Sequence, residues 1–337
     1  MLDRLFTSGQ LNCINMENLN TNSSTTSSKE VMSVKRLWLW LINDASLYCN
    51  LSDVDKKEID KFRLVIFVLL HIACLSVFFV GVSWVAVLFA AVLYFSRMFF
   101  ITAFYHRYFS HRSYKASRPI QFLMAIAGST AGQRGALWWA SHHRDHHINS
   151  DTNVDPHSPK NGFINSHMLW FLRKGNFPSQ DQRINDFLRY PELRLLEKID
   201  WLPFLSFFVA CYFLGELMAQ YFPSLSVSGM QLLVWGGFIS TVLLYHATYT
   251  INSLAHLYGK RRFNTSDDSR NNMWLALLTL GEGWHNNHHR YPTATKQGFY
   301  RGELDISYVL LSIMAMFGLV KDFKPVPGSI LEEGRRS

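Results

Sequence analysis

Two long tracts of this chain carry almost no charge, and they set its architecture. Leu64 to Ser96 contains no Asp, Glu, Lys or Arg. As one helix it would be about 50 Å long at ~1.5 Å per residue, against roughly 30 Å of bilayer hydrocarbon. Gly81-Val82-Ser83-Trp84 offers a turn, and the apolar texture continues to about Tyr105. The pattern predicts two spans, near 64–82 and 85–105. A second pair follows. Trp201 to Phe222 is apolar apart from Glu216, Pro223-Ser224-Leu225-Ser226 interrupts it, and Met230 to Ile251 is uncharged. This predicts spans near 202–222 and 230–251. Buried helices of a soluble protein do not need uncharged runs of this length.

Two shorter apolar stretches do not reach spanning length. Ile120 to Trp139 is interrupted by Gly128, Gly132, Gln133, Arg134 and Gly135, and Ile306 to Val320 is too short. Both are expected as interfacial helices or helices packed in a cap. Residues 1–35 are rich in Asn, Ser and Thr and are expected to form a disordered N-terminal tail. They lack the apolar core of a signal peptide. Residues 36–325 form one membrane domain, and 326–337 a C-terminal tail.

Charge then orients the spans. The formal net charge is +8, from 33 Lys and Arg against 25 Asp and Glu. Within 64–104 the only basic residue is Arg97, and between 201 and 256 there is none. Both turns are thus free of Lys and Arg, and the basic residues gather in the N-terminal segment, 106–200 and 257–337. The positive-inside rule places those three segments, and so both termini, in the cytoplasm. A cytoplasmic cap beside anionic lipid explains the basic balance without any nucleic-acid partner. The four cysteines (Cys13, Cys49, Cys74, Cys211) form no C-x-x-C pair, which argues against a cysteine zinc site or an iron–sulfur cluster.

The candidate chemistry lies in the 14 histidines. Box one is His106-Arg-Tyr-Phe-Ser-His111, box two His143-Arg-Asp-His146-His147, and box three His285-Asn-Asn-His288-His289. Offsets of three and four share a helical face. His256 is a ninth candidate, with Asn252 four residues before it. Box one follows the cytoplasmic end of the second span, Asn252 and His256 end the fourth, and boxes two and three lie in cytoplasmic segments. All can converge at one depth. Neutral imidazole suits iron, zinc, copper and nickel, and nine imidazoles exceed what one ion can take, so two metals are the natural count. His142 adjoins His143 and is itself four residues from His146. The offsets of box three select His143 as the ligand, leaving His142 to face the substrate head or solvent. Ring nitrogens that do not bind metal need acceptors, and Asp145, Asp155, Glu282 and Asn286 are candidates. H-E-x-x-H is absent, and only Glu282-x-x-His285 matches the E-x-x-H of soluble di-iron carboxylate proteins. His71 and His246 are isolated within spans, which gives a heme no ligand pair.

The boxes, their order and their relation to two helical hairpins resemble the integral-membrane fatty acyl desaturases of the acyl-CoA desaturase type. The resemblance covers about residues 60 to 325. It rests on HRYFSHRSYK at 106–115, Asp155-Pro156-His157 after box two, Asn252-Ser253-Leu254-Ala255-His256 with Gly259, and Gly281 to His289 running into Tyr291-Pro292. Gly298-Phe299 to Asp305 is bacterial in style, and no His-Pro-Gly-Gly signature suggests a fused cytochrome. Members that use CoA esters commonly carry Arg-Asp where this chain has Ser141-His142. That departure leaves CoA, acyl carrier protein and phospholipid open as acyl carriers.

The resemblance implies an all-α membrane protein with four spans in two hairpins and a cytoplasmic helical cap. The cap would hold a di-iron centre ligated by His106, His111, His143, His146, His147, His256, His285, His288 and His289, with Asn252 contacting metal through water. It implies an O2-dependent desaturase that inserts a cis double bond into a saturated acyl chain, with acyl-CoA the expected substrate, usually between the ninth and tenth carbons. A lipid or alkane hydroxylase on the same scaffold is the alternative, and a non-catalytic metal-binding membrane protein is a third reading. The chain has no flavin or nicotinamide fingerprint. A separate ferredoxin, rubredoxin or cytochrome with its reductase is therefore expected, steered by basic residues such as Arg112, Lys115 and Arg118. The expected location is a bacterial inner membrane.

Overall fold

The computed structural model describes residues 34–48 and 50–336. Of the tail expected over 1–35, only Val34 and Lys35 fall among the described residues, and they open the first helix. In chain order the principal helices are α1 (Val34–Leu41), α2 (Lys61–Val80), α3 (Trp84–Ser110), α4 (Arg118–Ser129), α5 (Ala136–Asn149), α6 (Pro191–Lys198), α7 (Trp201–Tyr221), α8 (Gly229–His256), α9 (Met273–Leu278), α10 (His285–Arg290), α11 (Ile306–Met316) and α12 (Gly328–Arg336). Lys115–Ala116 pairs antiparallel with Val320–Lys321 as a two-residue ribbon.

Helices α2, α3, α7 and α8 are long and apolar enough to cross a membrane. Their ends are set by local chemistry. Asp60 caps α2, its Oδ1 accepting the N–H groups of Phe62 and Arg63. Gly81, at φ +71°, ends α2, and Ser83 Oγ accepts from Ala86 N–H to start α3. Glu216, the one acidic residue of α7, accepts the Gly229 N–H at 2.9 Å and so caps the start of α8. Gly215 touches Ser228 and Gly229 closely enough that a Cβ there would lie 2.6 Å from the Ser228 carbonyl oxygen.

The most apolar part of α2 is 0% buried against the protein and that of α7 17%, whereas α3 and α8 bury 50% and 56%. The inner pair is therefore α3 with α8. Arg97, in the middle of α3, is buried there. It donates to Thr241 Oγ1 at 2.7 Å and Ser240 Oγ at 2.6 Å, with its guanidinium carbon 4.1 Å from the Phe207 ring centre.

Helices α4, α5 and α11 pack against the last turns of α3, and α9 packs against α8. The stretch from Ile120 to Trp139 contributes α4 and the start of α5, separated by a turn in which Gly132 and Arg134 both have positive φ. The 326–337 segment, expected as a tail, instead contains a docked helix. Ile330 of α12 is buried with Phe263, Ala294 and Phe299, and Glu333 pairs with Arg290. An amphipathic nine-residue helix with its apolar contact supplied by a distant loop gives too short a pattern to read from sequence.

Candidate metal centre

Each histidine box is held by a different local device. Box one ends α3, whose last turns, Phe100–Ser110, are wound as a π-helix. The His111 N–H donates to the His106 carbonyl at 3.2 Å. In α-helical winding, residues five apart diverge by ~140°. The wider turn instead brings the two rings to 4.8 Å between centres.

Box two lies on α5. Glu197 of α6 caps that helix, accepting the N–H groups of Leu137 and Trp138 at 3.0 Å each. A Cβ on Gly135 would sit 2.2 Å from Glu197 Oε2, so the cap requires glycine there. Box three is the short helix α10. Its approach passes through Leu280 and Gly281, both at positive φ, and the Trp284 indole donates to the Leu304 carbonyl at 2.8 Å.

The nine histidines fall into two groups: His106, His111, His143, His147 and His288, and then His146, His256, His285 and His289. In the first, the Nε2 atoms form a chain of short separations. These are 3.0 Å from His106 to His288, 2.9 Å from His288 to His147, 3.0 Å from His147 to His143 and 2.8 Å from His143 to His111. In the second, His256 Nε2 and His285 Nε2 are 3.0 Å apart, and His289 Nε2 is buried with no hydrogen-bond partner among the described residues. Asn252 lies on the wall of the adjoining cavity, where its backbone carbonyl accepts from Ser166 Oγ.

Among the described residues, the Nδ1 edges of five of the nine rings face acceptors, and His285 Nδ1 is buried without one. Asp151 Oδ2 accepts from His256 Nδ1 at 2.8 Å, Asp155 Oδ2 from His146 Nδ1 at 3.0 Å and Asp267 Oδ2 from His289 Nδ1 at 2.7 Å. Glu282 Oε2 lies 2.5 Å from His106 Nδ1. The Gln297 amide is 3.3 Å from His106 Nδ1 and 3.4 Å from His288 Nδ1, and its Oε1 has no other partner. Turning that oxygen toward the rings satisfies it and gives both the Nδ1–H tautomer. Buried Arg107 ties Glu282 to Asp305, reaching Glu282 Oε1 at 3.0 Å and Asp305 Oδ1 at 2.9 Å.

Of the acceptors expected from sequence, Asp155 and Glu282 touch ligand rings and two do not. Asp145 is taken by Arg183, at 2.8 Å, and by Asn149. Asn286 pins the 262–269 loop, its Oδ1 accepting from Arg262 and Phe263 N–H. Asp151, Asp267 and Gln297 were missed because they lie in loops with no periodicity to mark them.

Burial and mutual repulsion hold His111, His143, His147, His285, His288 and His289 well below the ordinary imidazole range, so these rings are neutral. Burial alone would raise Asp151. The bonds from His256, Asp268 N–H and Ser158 outweigh it and hold the carboxyl down at about 2.

This donor set fits metal. Neutral His106 and His288, with their Nδ1 edges engaged, turn Nε2 lone pairs toward each other, and bare lone pairs at 3.0 Å repel. Five imidazoles exceed the four ligands of a tetrahedral zinc, so the first group suits an ion of higher coordination number. Carboxylates behind the neutral rings supply the compensating charge.

A cavity of about 300 Å³ opens beside His143. Trp139 and His143 both line it and stack on each other, with centres 4.9 Å apart. Phe67, Leu70, Phe204 and Tyr245 continue the wall. His142 also lines it, with Nε2 3.2 Å from the Pro178 carbonyl. It is away from both histidine groups, as the box-three offsets predict, and it faces the cavity instead of solvent. Arg112, Lys115 and Arg118, expected to steer an acidic carrier, are each paired locally, with Asp186, Asp322 and Glu192 at 2.8, 2.9 and 2.7 Å.

Residues 82–297 match the model of the fatty acid desaturase family. The chain is 37% identical over 215 residues to a probable chloroplastic lipid desaturase of Arabidopsis thaliana, covering 63% of this chain and 56% of that one. It is 34% identical over 214 residues to an sn-2 palmitoyl-lipid 9-desaturase of Nostoc sp., covering 62% and 70%. It is also 34% identical over 221 residues to an acyl-CoA 5-desaturase of Anemone leveillei, covering 65% and 64%. The match spans little more than half the length of the Arabidopsis relative. The chain belongs to the fatty acid desaturase family.

Proposed function

We propose that this chain is an O2-dependent fatty acyl desaturase that inserts a cis double bond between the ninth and tenth carbons of a saturated acyl chain. The observation that carries the reading is a pair of adjacent imidazole groups, nine rings in all, opening through His143 onto an apolar cavity. The five-histidine group would hold one iron and the four-histidine group, with Asn252 through water, the other. When bound, the irons supply O2 reduction and the oxidising power that an unactivated C–H bond demands. Two substrate hydrogens, two external electrons and two protons accompany O2 to two waters.

The protein's own part is positioning. Acceptors on Nδ1 hold His106, His146, His256, His288 and His289 in one tautomer and one orientation. The Arg107 bridge fixes Glu282 and Asp305 so that His106 is braced from behind. The apolar cavity wall aligns one bond of a chemically uniform chain with the centre, an orientation effect. The same wall keeps water from the reacting carbon.

The placement in a membrane belongs to this reading. α2 with α3 and α7 with α8 form two transmembrane hairpins, and the termini and histidine cap are cytoplasmic. A separate electron carrier docks on the cap. The relatives' names give 9 in one case and 5 in another as the position of action, so product analysis carries the assignment. The test is expression in a host lacking unsaturated fatty acids, with gas chromatography and mass spectrometry of the lipids. Loss of two hydrogens, absent in the His143→Ala chain, is expected. A product heavier by one oxygen would establish a hydroxylase instead.

A further inference from the structure

Helix α12 lies outside the metal centre, yet it grips the segments on either side of one ligand and its acceptor. His289 belongs to the four-histidine group, and its Nδ1 donates to Asp267 Oδ2 at 2.7 Å. Arg290, the next residue, forks onto Glu333 of α12, with Nε 2.9 Å from Oε1 and Nη2 2.5 Å from Oε2. Asp267 sits in the 262–269 loop, which Phe263 roots in an apolar cluster with Ala294, Phe299 and Ile330 of α12. A Cβ on Gly334 of α12 would stand 2.6 Å from Phe263 Cζ and 2.3 Å from the Tyr300 hydroxyl, so that contact needs glycine. The same hydroxyl donates to the Leu331 carbonyl at 3.0 Å.

The grip reaches the centre through Phe263. Asn286, beside His285, accepts the Phe263 N–H at 2.7 Å and donates to the Phe263 carbonyl at 3.1 Å. Phe263 is only 1% exposed, with Ile330 and Gly334 of α12 against its ring. Uncovering the ring would let water compete for both bonds to Asn286, and Asp267, four residues on, would lose its register with His289. Asp151 anchors the far end of the loop, accepting the Asp268 N–H at 2.9 Å, so α12 secures the near end. The five-histidine group is braced elsewhere, by Glu282 behind His106 and by Gln297 behind His106 and His288.

We propose that α12 is a clasp that positions the Asp267–His289 pair and so sets how tightly the four-histidine group keeps its metal. The proposal rests on the two-metal reading of the site. The test uses the purified full chain carrying Ile330→Asp, which places a charge against the Phe263 ring, or Glu333→Arg, which opposes like charges at Arg290. Hydrogen–deuterium exchange follows the 262–269 loop in chelator-stripped protein, and elemental analysis counts iron per chain during chelator titration. In both variants the loop should exchange faster than in the parent, and one metal should leave at about tenfold lower chelator concentration while the other stays. The charge-swapped pair Arg290→Glu/Glu333→Arg should restore parental behaviour in both readouts.

Parental loop exchange or parental metal release in both variants would overturn the proposal. Equal loss of both metals, or faster exchange spread over the whole chain, would overturn it too, because α12 would then support only the fold. A charge-swapped pair that behaves like Glu333→Arg alone counts against it in the same way. If Ile330→Asp does not fold, the half-exposed Glu333 variant decides by the same readouts. A parental chain that binds a single metal retires the two-metal reading, and loop exchange in the stripped protein then decides the clasp. Unsaturated product with parental exchange and release retires the clasp alone. Faster loop exchange and selective release, with no unsaturated product from any acyl carrier, retires the desaturase reading alone.

Discussion

Replacing Asp151 by Asn removes one charge from behind the four-histidine group and leaves the rest of the site in place. Asp151 Oδ2 accepts from His256 Nδ1 at 2.8 Å and from Asp268 N–H at 2.9 Å, and Oδ1 accepts from Ser158 Oγ at 2.8 Å. An Asn with its oxygen at the Oδ2 position keeps the first two bonds, and its amide can donate to the serine hydroxyl. Residue 151 also has φ +57°, a left-handed conformation that Asn tolerates and Ala does not, so Asn is the clean variant. What is lost is the charge that makes His256 a stronger donor to metal. Loss of such a partner lowers metal affinity by roughly 10- to 100-fold, or about 1.4–2.7 kcal/mol.

The assay is iron per purified chain by elemental analysis during titration with a chelator. On the proposed two-metal reading, the Asp151→Asn chain should release one metal at lower chelator concentration, while the metal of the five-histidine group stays. Asp145→Asn serves as the control, because that carboxylate is bound by Arg183 and touches no ligand ring. Parental chelator resistance in Asp151→Asn, or an equal loss in Asp145→Asn, would refute the reasoning.

His143→Ala should lose iron and activity, whereas His142→Ala should keep its full iron and part of its activity; iron loss confined to the His142 variant would reverse the assignment. Loss of water around Glu197, with the charge of Asp200, pushes its carboxyl up to about 7. A raised folded value means a contribution present below the ordinary carboxylate range and lost as pH rises through about 7. The melting temperature of Glu197→Gln relative to the parent should therefore climb between about pH 4.5 and 7, and a pH-independent difference would contradict it. For topology, a cysteine at Val82 or Ser224 should react with an impermeant maleimide in intact cells, and one at exposed Asn153 should not. Labelling at Asn153 would invert the proposed orientation.

The sequence by itself determined the four apolar helices and the nine converging histidines. Both are carried by composition and short-range spacing. Uncharged runs of span length have few other uses, and offsets of 0, +3 and +4 place rings on one helical face wherever the helix lies. The repeat of those offsets at 285, 288 and 289 was enough to prefer His143 over His142.

Other features depend on geometry that spacing does not encode. The five-residue gap in box one fits an α-helix poorly, and it works because the end of α3 unwinds into π turns. The division of nine rings into five and four mixes all three boxes: His146 leaves its neighbours for the group of His256, and His288 parts from His285 and His289. Neighbours on a helix point ~100° apart, so one box can feed two sites. The acceptors behind the rings come from loops, where Asp151 meets His256 across 105 positions of chain. The polar end of the cavity joins Arg63, Arg134 and Phe177 from three separate segments. Their stacking follows from how α2, the α4–α5 turn and the loop between α5 and α6 pack, a relation that no local pattern in the sequence records.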